Sequence, residues 1–244
     1  INLIKTARHK IIILTVATAL KPLLNNGINP DFVVAVDPNE DTYHSFNNVD
    51  IPNNLCLIYD PCIPATITSL FKGKCFAIDS AIFLAKWLSI NSEDKGSLGT
   101  VFSVAHSAFH ISKHLGCNPI ILVGQDLSFD GLRMHCTGSF YNQINQDLIN
   151  GTRTLNVLEY NTYRKFSPSM TKAHDIFKKH SHTTKAMETY KDLFTNEIHE
   201  SPRILNATEG GVNIPGAENL TLKEALHNHC KHINQNKVKY LVDK

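Results

Sequence analysis

The fold is indicated most clearly by one stretch near the start of the chain, residues 10–36, which reads KIIILTVATALKPLLNNGINPDFVVAV. Two short apolar runs, at 10–17 and 32–36, flank a segment of helical period. Similar β-branched or apolar runs occur at 55–59, 75–78 and 119–123. Several are apolar throughout, which suits strands covered on both faces. The alternation predicts an α/β fold, a Rossmann-like and mostly parallel sheet with helices on both faces.

The remaining sequence predicts further helices and one long polar connection. Apolar residues three and four apart predict a helix at 101–115 that Gly116 ends, and later patterns predict a helix at about 183–197, a strand at 203–205 and a helix at about 221–235. Periodicity fades from 127 to about 150, so we expect a lid there. We predict a nucleotide-binding core at 1–126, a lid and helical insertion at 127–201, and a C-terminal strand, turn and helix at 202–244 that complete the same domain.

Composition narrows the class of protein. The net charge of +2, from 24 basic and 22 acidic side chains in 244 residues, argues against nucleic-acid partners. No apolar run approaches the roughly 20 residues of a membrane span. The six cysteines form no CxxC pair, which favours a reducing compartment and therefore the cytoplasm. Because the first residue is Ile and not Met, we expect a fragment of a longer protein.

Ligands of open α/β sheets bind beyond the carboxyl ends of the strands, so the residues that follow each strand are candidates. Thr18 follows the first predicted strand and could contact a ligand at a helix N-terminus or simply cap that helix. Asp37 follows the second strand and precedes Pro38. Its carboxylate could accept hydrogen bonds from a ribose or a base amine, or cap the following turn. Both alternatives remain open at both positions.

Later strand exits carry further polar groups. Gly124 permits close backbone approach, and Gln125 and Asp126 are expected to project into the same crevice. Within NATEGG at 206–211, Glu209 could orient a substrate, act as a base or belong to a purely structural turn. These exits predict a polar ligand site at one edge of the sheet.

The segment before the predicted helix at 101–115 is rich in glycine and hydroxyl groups, GSLGT at 96–100, and could cradle a phosphate or nucleotide. His106, His110 and His114 follow at steps of four residues and could share a metal. We expect instead that only His106 faces the site and that the other two are solvated.

Four blocks of sequence together resemble motility-associated-factor (Maf) proteins: TALKPLLNNGINPDFVVAVDP at 18–38, SVAHSAF at 103–109, LGCNPIILVGQDL at 115–127 and NATEGGVNIPG at 206–216. The resemblance covers about residues 11–226 and is weakest from 127 to 201. It implies a glycosyltransferase that transfers a nonulosonic acid from a CMP-sugar to a Ser or Thr hydroxyl of flagellin or another protein acceptor. The domain is also similar to an archaeal hydroxymethylpterin diphosphokinase and, more distantly, to bacterial sialyltransferases.

The resemblance implies roles for particular residues. By that resemblance Thr18, Asp37, Ser103 and Asp126 line the nucleotide. We expect His106 and Gln125 in the same site because of their positions at the helix start and the strand exit. His182, or alternatively His135 in the lid, would take the proton of the acceptor hydroxyl. The resemblance establishes no cofactor, and Mg²⁺ is one candidate. Family members usually begin with a strand and a Gly-x-Gly-Pro-Ser loop, which we expect to precede the residues given.

Two alternatives remain open. The first is an ATP-dependent hydroxymethylpterin diphosphokinase, in which Asp37, Asp126 and Glu209 would hold Mg²⁺ around the phosphates. The second is a noncatalytic flagellin-binding module that keeps the fold without the chemistry.

Overall fold

The computed structural model describes residues 1–79, 103–129, 136–149, 154–198 and 202–231, together with Phe83 and Trp87. The chain divides into two compact units. The first comprises Ile1–Leu115 and Cys230–Lys244, and the second comprises Gly116–His229. The division therefore falls before the predicted boundary at 126, because the strand predicted at 119–123 pairs with strands from the C-terminal part of the chain.

The first unit contains a parallel sheet of four strands in chain order. The strands are β1 Leu14–Val16, β2 Phe32–Ala35, β3 Cys56–Tyr59 and β4 Cys75–Ala77. All three neighbouring pairs are parallel, with Val16 opposite Val34 and Ala35 opposite Tyr59. The predicted α/β class is confirmed. The first strand is shorter than predicted, because Arg8–Lys10 forms a 3-10 turn and a helix begins at Ala17.

Among the described residues, the first unit contains the helices α1 Asn2–Ala7, α2 Ala17–Asn25, α3 Asp41–His44, α4 Ala65–Ser69 and α5 Val104–His114, and Phe83 and Trp87 are also helical. Helix α5 confirms the helix predicted at 101–115 over its described part. Gly116 follows it with a φ of +72°, a left-handed conformation that glycine adopts at helix ends without a steric penalty.

Alternate residues of the strands point to opposite faces of this sheet, and both faces are apolar. On one face Val33, Ala35 and Leu57 pack with residues of the connecting helices, including Leu20 and Ile67. On the other face the cluster comprises Phe32, Val34, Cys56, Ile58, Ile78, Ala108 and Ile111, of which the last two belong to α5. Burial on both faces explains why the strand sequences are apolar throughout.

The second unit contains a three-stranded parallel sheet and a two-stranded hairpin. The parallel sheet has the order β5 Ile120–Leu122, β8 Ile204–Asn206 and β9 Glu218–Asn219. The antiparallel hairpin consists of β6 Met170–His174 and β7 His180–Thr184. The predicted strands at 119–123 and 203–205 are confirmed, and the hairpin was not predicted.

The helices of the second unit are α6 Phe140–Asp147, α7 Leu155–Phe166, α8 Lys185–Ile198 and α9 Leu222–His229. The helix predicted at 183–197 begins later, because Thr183 and Thr184 end β7. Helix α9 confirms the start of the helix predicted at 221–235, whose end lies outside the described residues. Among the described residues, none of the helices combines the length and apolar character needed to cross a membrane.

The connection at 127–150, where periodicity fades, contains helix α6, so the expectation of an irregular segment is wrong there, while its role as a lid stays a prediction. Ser139 is fully buried, and its hydroxyl accepts a hydrogen bond from the Asn142 amide over 3.3 Å. The Asn142 side chain in turn accepts from the Gly138 amide over 3.1 Å. These polar groups stabilise a helix start that hydrophobic periodicity does not report.

Candidate functional site

The exits of β5 and β8 lie side by side in the second unit, since these two strands are parallel neighbours. The Ala207 amide donates to the Leu122 carbonyl over 2.9 Å, which continues the ladder one step beyond the strands. The Gln125 amide then donates to the Thr208 hydroxyl over 3.1 Å. The sequence blocks at 115–127 and 206–216 therefore meet at one sheet edge.

Gly211 makes the closest approach between these two exits. The Val212 amide donates to the Asp126 carbonyl over 2.7 Å, so the two chains are in direct backbone contact. Gly211 has a φ of +72°, and a Cβ atom placed on it would collide with the backbone of Asp126. Only glycine fits both requirements. A Cβ on Gly210 would lie 3.6 Å from a carboxylate oxygen of Asp126, so this carboxylate faces the glycine pair.

A network of side-chain amides supports the β8 exit from within. Asn206 is 1% exposed, and its side-chain oxygen accepts from the Thr208 amide over 3.2 Å. Its amide nitrogen donates to the Asn219 side chain over 2.9 Å, and Asn219 donates to Asn213 over 2.7 Å. Because Thr208 also holds Gln125, this network links a buried residue of β8 to the conformation of the β5 exit.

Glu209 is engaged in a structural contact. Its carboxylate accepts from the Leu222 amide over 2.8 Å at the N-terminus of α9. An anionic oxygen at this position satisfies a free amide and interacts favourably with the helix dipole. Glu209 also has a φ of +61°, so the turn holds it in a left-handed conformation. The geometry favours the purely structural alternative for Glu209, while its catalytic role stays a prediction.

The hairpin carrying His182 is hydrogen-bonded to both exits. The Phe129 amide donates to the His182 carbonyl over 2.9 Å, shortly after Asp126 in the chain. The buried hydroxyl of Thr183 donates to the Leu127 carbonyl over 2.7 Å. The His182 side chain is exposed, and its ring meets the Tyr163 ring edge-on at 5.9 Å. His182 therefore lies on a strand attached to the segment that leaves the β5 exit.

Cys136 adds a thiol near Asp126. The residue as a whole is exposed, yet its thiol is partly screened from water, and this desolvation raises its pKa. The negative charge of Asp126 raises the pKa further. The thiol is therefore protonated at neutral pH, which makes it a weak nucleophile.

The predicted residues of the first unit occupy three places. Thr18 lies in the first turn of α2, which begins directly after β1, and it is half-buried. Val16 occupies the N-cap position, so the interpretation of Thr18 as the cap is wrong. The helix begins at the residue directly after the strand, so the last strand residue, Val16, is also the N-cap residue of the helix.

Asp37 follows β2 and is exposed, and its carboxylate accepts from the Asn39 amide over 2.9 Å. A second carboxylate, Asp60, follows the neighbouring strand β3 and was missed in the sequence. Its amide donates to the Ala35 carbonyl over 3.0 Å, and its carboxylate accepts from the Cys62 amide over 2.8 Å. The signal was present, because each of these aspartates directly precedes a proline at the end of an apolar run.

Ser103 and His106 lie at the start of α5. The Ser103 hydroxyl caps the helix by accepting from the His106 amide over 3.1 Å. The His106 side chain is fully buried and its ring stacks on Phe109 with centroids 6.4 Å apart. His110 is half-buried with its ring 4.6 Å from that of His106, so the expectation that it is solvated is wrong, whereas His114 is exposed as expected. His135 lies outside the described residues.

Comparisons with known proteins bear on this geometry. A family model described as 6-hydroxymethylpterin diphosphokinase MptE-like matches residues 1–131. The chain belongs to this MptE-like family. Its structure is also similar to that titled Structure of MAf glycosyltransferase from Magnetospirillum magneticum AMB-1, with a TM-score of 0.68 and 15% identity. That similarity covers 98% of this chain and 34% of the other, so the chain spans about a third of its length. Among curated proteins, none matches the sequence.

The predicted membership and fold class of the MptE-like chain are thereby confirmed. The family match includes the Ile1–Leu115 part of the first unit and continues through β5 to the Gln125–Asp126 exit. Glu209 and His182 lie beyond it. The similarity in fold, in contrast, extends over both units. The site residues themselves stay predictions.

Proposed function

We propose that this MptE-like chain is the nucleotide-sugar-binding part of a glycosyltransferase of sialyltransferase-like type. The observation that carries the proposal is the similarity in fold to a Maf glycosyltransferase over 98% of the chain. The donor is a CMP-activated nonulosonic acid, and the acceptor is a Ser or Thr hydroxyl of flagellin or another protein. The six free cysteines favour a reducing compartment, so we place the reaction in the cytoplasm.

In this proposal Thr18, Asp37 and Ser103 bind the nucleotide, with Asp37 accepting from the ribose or the base. Gln125 and Asp126 bind the sugar. The His106 side chain is fully buried, so it is not among the proposed contacts. The packing of Gly211 against the backbone of Asp126 supports the assignment of Asp126, because it fixes the main chain from which the carboxylate projects.

The proposed reaction is a substitution at the anomeric carbon. The acceptor oxygen bonds to that carbon, the bond from the carbon to the phosphate oxygen breaks, and CMP leaves with the electron pair. The acceptor proton passes to His182, or to His135 as the alternative. The Asp126 carboxylate stabilises the positive charge that develops on the sugar ring. Mg²⁺ could assist departure of the phosphate, although the proposal does not require it.

Calorimetric titration with CMP tests the nucleotide part. We expect heat of binding and a loss of about 10- to 100-fold in affinity for Asp37→Ala, the effect of removing a hydrogen bond to a charged group. Asp41→Ala is the matched control, an exposed carboxylate four residues away, and should bind CMP normally. Absence of any CMP binding by the wild-type chain would refute the proposal.

A transfer assay tests the base. His182→Ala should lower kcat by about 100-fold or more while CMP affinity changes by less than about twofold. His227→Ala, an exposed histidine on α9, is the control. An unchanged kcat for His182→Ala would assign proton transfer to another group.

A second candidate function is favoured by the family description, which names a 6-hydroxymethylpterin diphosphokinase. In that reaction the pterin hydroxyl oxygen attacks the β-phosphorus of ATP, diphosphate is transferred and AMP leaves. Asp37, Asp126 and Glu209 would hold Mg²⁺, although Glu209 already caps α9. Binding of ATP only with Mg²⁺, release of AMP in the presence of the pterin and no response to CMP would favour this function. Tight flagellin binding with no nucleotide effect would favour the noncatalytic module.

A further inference from the structure

The hairpin of β6 and β7 has a well-defined turn. The Asp175 amide donates to the Lys179 carbonyl over 3.0 Å, and the Lys178 amide donates to the Asp175 carbonyl over 2.9 Å. The Asp175 carboxylate also accepts from the amides of Phe177 and Lys179, each over 2.8 Å. Lys178 has a φ of +63°, as expected for the last residue of a three-residue hairpin loop. These bonds fix the register at the end of the hairpin.

That register places two histidines directly opposite each other. His174 pairs with His180, one step from the hydrogen-bonded pair of Asp175 and Lys179. Hydrogen-bonded and non-hydrogen-bonded pairs alternate in antiparallel strands, so His174 and His180 form a non-hydrogen-bonded pair. Side chains in such pairs approach most closely. Both histidines are exposed, and their ring centroids lie 5.0 Å apart at an interplanar angle of 41°.

This separation matches two imidazoles bound to one metal ion. A ligand nitrogen lies about 2.0–2.1 Å from Zn²⁺, and the ring centroid lies about 1 Å further away. At a roughly tetrahedral angle, two such rings have centroids about 5 Å apart. Imidazole nitrogen suits Zn²⁺, Ni²⁺ and Cu²⁺, whereas Mg²⁺ and Ca²⁺ prefer oxygen ligands.

We propose that His174 and His180 form a two-histidine site for a divalent transition-metal ion, with Zn²⁺ as the probe ion and water completing the coordination. The site is distinct from His182, which lies opposite Lys172 and packs against Tyr163. It also stands independently of the glycosyltransferase proposal, because it rests on the hairpin alone.

Metal at this position would affect the candidate site through the turn. The Ile176 amide donates to the Gly211 carbonyl over 3.0 Å, and Asp175 forms an isolated bridge with Val212. An ion joining β6 to β7 would brace the turn that contacts Gly211, which in turn packs on Asp126. The site therefore offers a way for metal availability to stabilise the turn that contacts Gly211 and Val212.

Titration calorimetry of the full chain with ZnCl₂ at neutral pH tests the site. His174→Ala and His180→Ala should each weaken this binding event by about tenfold or more, because one remaining ligand loses the gain from chelation. The double variant should lose this binding event altogether, since it keeps neither of the two ligands that hold the ion. His114→Ala, which replaces an exposed histidine on α5, is the control and should bind zinc as the wild type does. Any zinc that still binds to the double variant is bound at another place on the chain.

A second measurement separates ligation from folding. Two-dimensional NMR of the imidazole nitrogens should show one nitrogen of each of the two rings shifting with zinc and returning as the pH falls, because metal ligation requires neutral imidazole. Far-UV circular dichroism should be unchanged in the variants, as expected for exposed side chains. Wild-type affinity in either single variant, or survival of this binding event in the double variant, would overturn the proposal.

Discussion

The two units hold their strands in place by different means. In the first unit, both faces of a four-stranded sheet are covered by apolar side chains, and Val33 and Leu57 are completely buried. In the second, the positions of the strand exits depend on particular polar bonds, such as the one from Thr183 to the Leu127 carbonyl. Apolar packing tolerates substitutions of similar volume, whereas a buried hydrogen bond requires its specific partners. The first unit is therefore a packed apolar scaffold that should tolerate substitutions of similar volume. The strand exits of the second unit should instead be sensitive to the loss of individual hydrogen bonds.

The largest expected effect lies in the apolar scaffold. Leu57→Ala should lower the free energy of unfolding by about 2–5 kcal/mol, since it removes a fully buried side chain and leaves a cavity. Leu3→Ala in the same unit, where the side chain is 40% exposed, should change it by less than about 0.5 kcal/mol. Urea denaturation measures both variants. Equal effects would break the description of the first unit as a packed scaffold.

A comparison of Gly211 with Gly116 tests the contact between the β5 and β8 exits. Gly211→Ala should lower stability by more than Gly116→Ala, although both residues have a φ of +72°. The Gly116→Ala variant should cost about 1–2 kcal/mol from the left-handed conformation alone, because a Cβ there meets no atom within 4 Å. The difference between the variants isolates the collision with Asp126. Hydrogen exchange of the peptides around 124–126 should increase in Gly211→Ala only.

The amide network provides a smaller test of the same edge. Asn206→Ala should cost about 1–2 kcal/mol, because it leaves the Thr208 amide and the Asn219 side chain without a buried partner. Asn213→Ala, at an exposed position of the same network, should cost less. Thermal unfolding and hydrogen exchange at the β5 exit compare the two. Similar losses of stability in the two variants would show that the burial of Asn206 does not strengthen its hydrogen bonds.

The smallest expected effect is a pH dependence at the start of α9. The pKa of Glu224 is lowered because its carboxylate accepts from the Thr221 amide and then from the Thr221 hydroxyl. A carboxyl with a lowered folded pKa contributes stability above its unfolded pKa and loses it as the pH falls through the folded value. The stability difference between wild type and Glu224→Gln should therefore shrink on acidification from pH 7 to pH 3. Glu40→Gln, which lies in the other unit, is the control, and a pH-independent difference would contradict the capping interpretation.

Sequence patterns predicted the first unit better than the second, for a physical reason. Strands β2 and β3 were recognised to within one residue because burial on both faces leaves a continuous apolar run. Helix α6 and the β6–β7 hairpin carry mostly polar or mixed residues, so their stability comes from caps and cross-strand contacts that have no strong period. The sequence therefore indicated an irregular connection where α6 lies.

Part of the candidate site was also predictable. The meeting of Asp126 with Gly210 and Gly211 follows from their positions at the ends of strands that run in parallel, once those strands are neighbours. Asp60 could have been found by noticing that Tyr59-Asp60-Pro61 repeats the pattern of Val36-Asp37-Pro38. The engagement of Glu209 with α9 could not, because its partner Leu222 is distant in sequence.

The amino-acid sequence by itself determined the fold class, the apolar strands and the glycine that ends α5, because each depends on local periodicity or backbone freedom. Only the tertiary structure decided that β5 pairs with β8, that Gly211 abuts Asp126 and that His174 faces His180. Those relations join residues through hydrogen bonds and close contacts between separate segments, and a sequence pattern contains no record of which segment lies beside which.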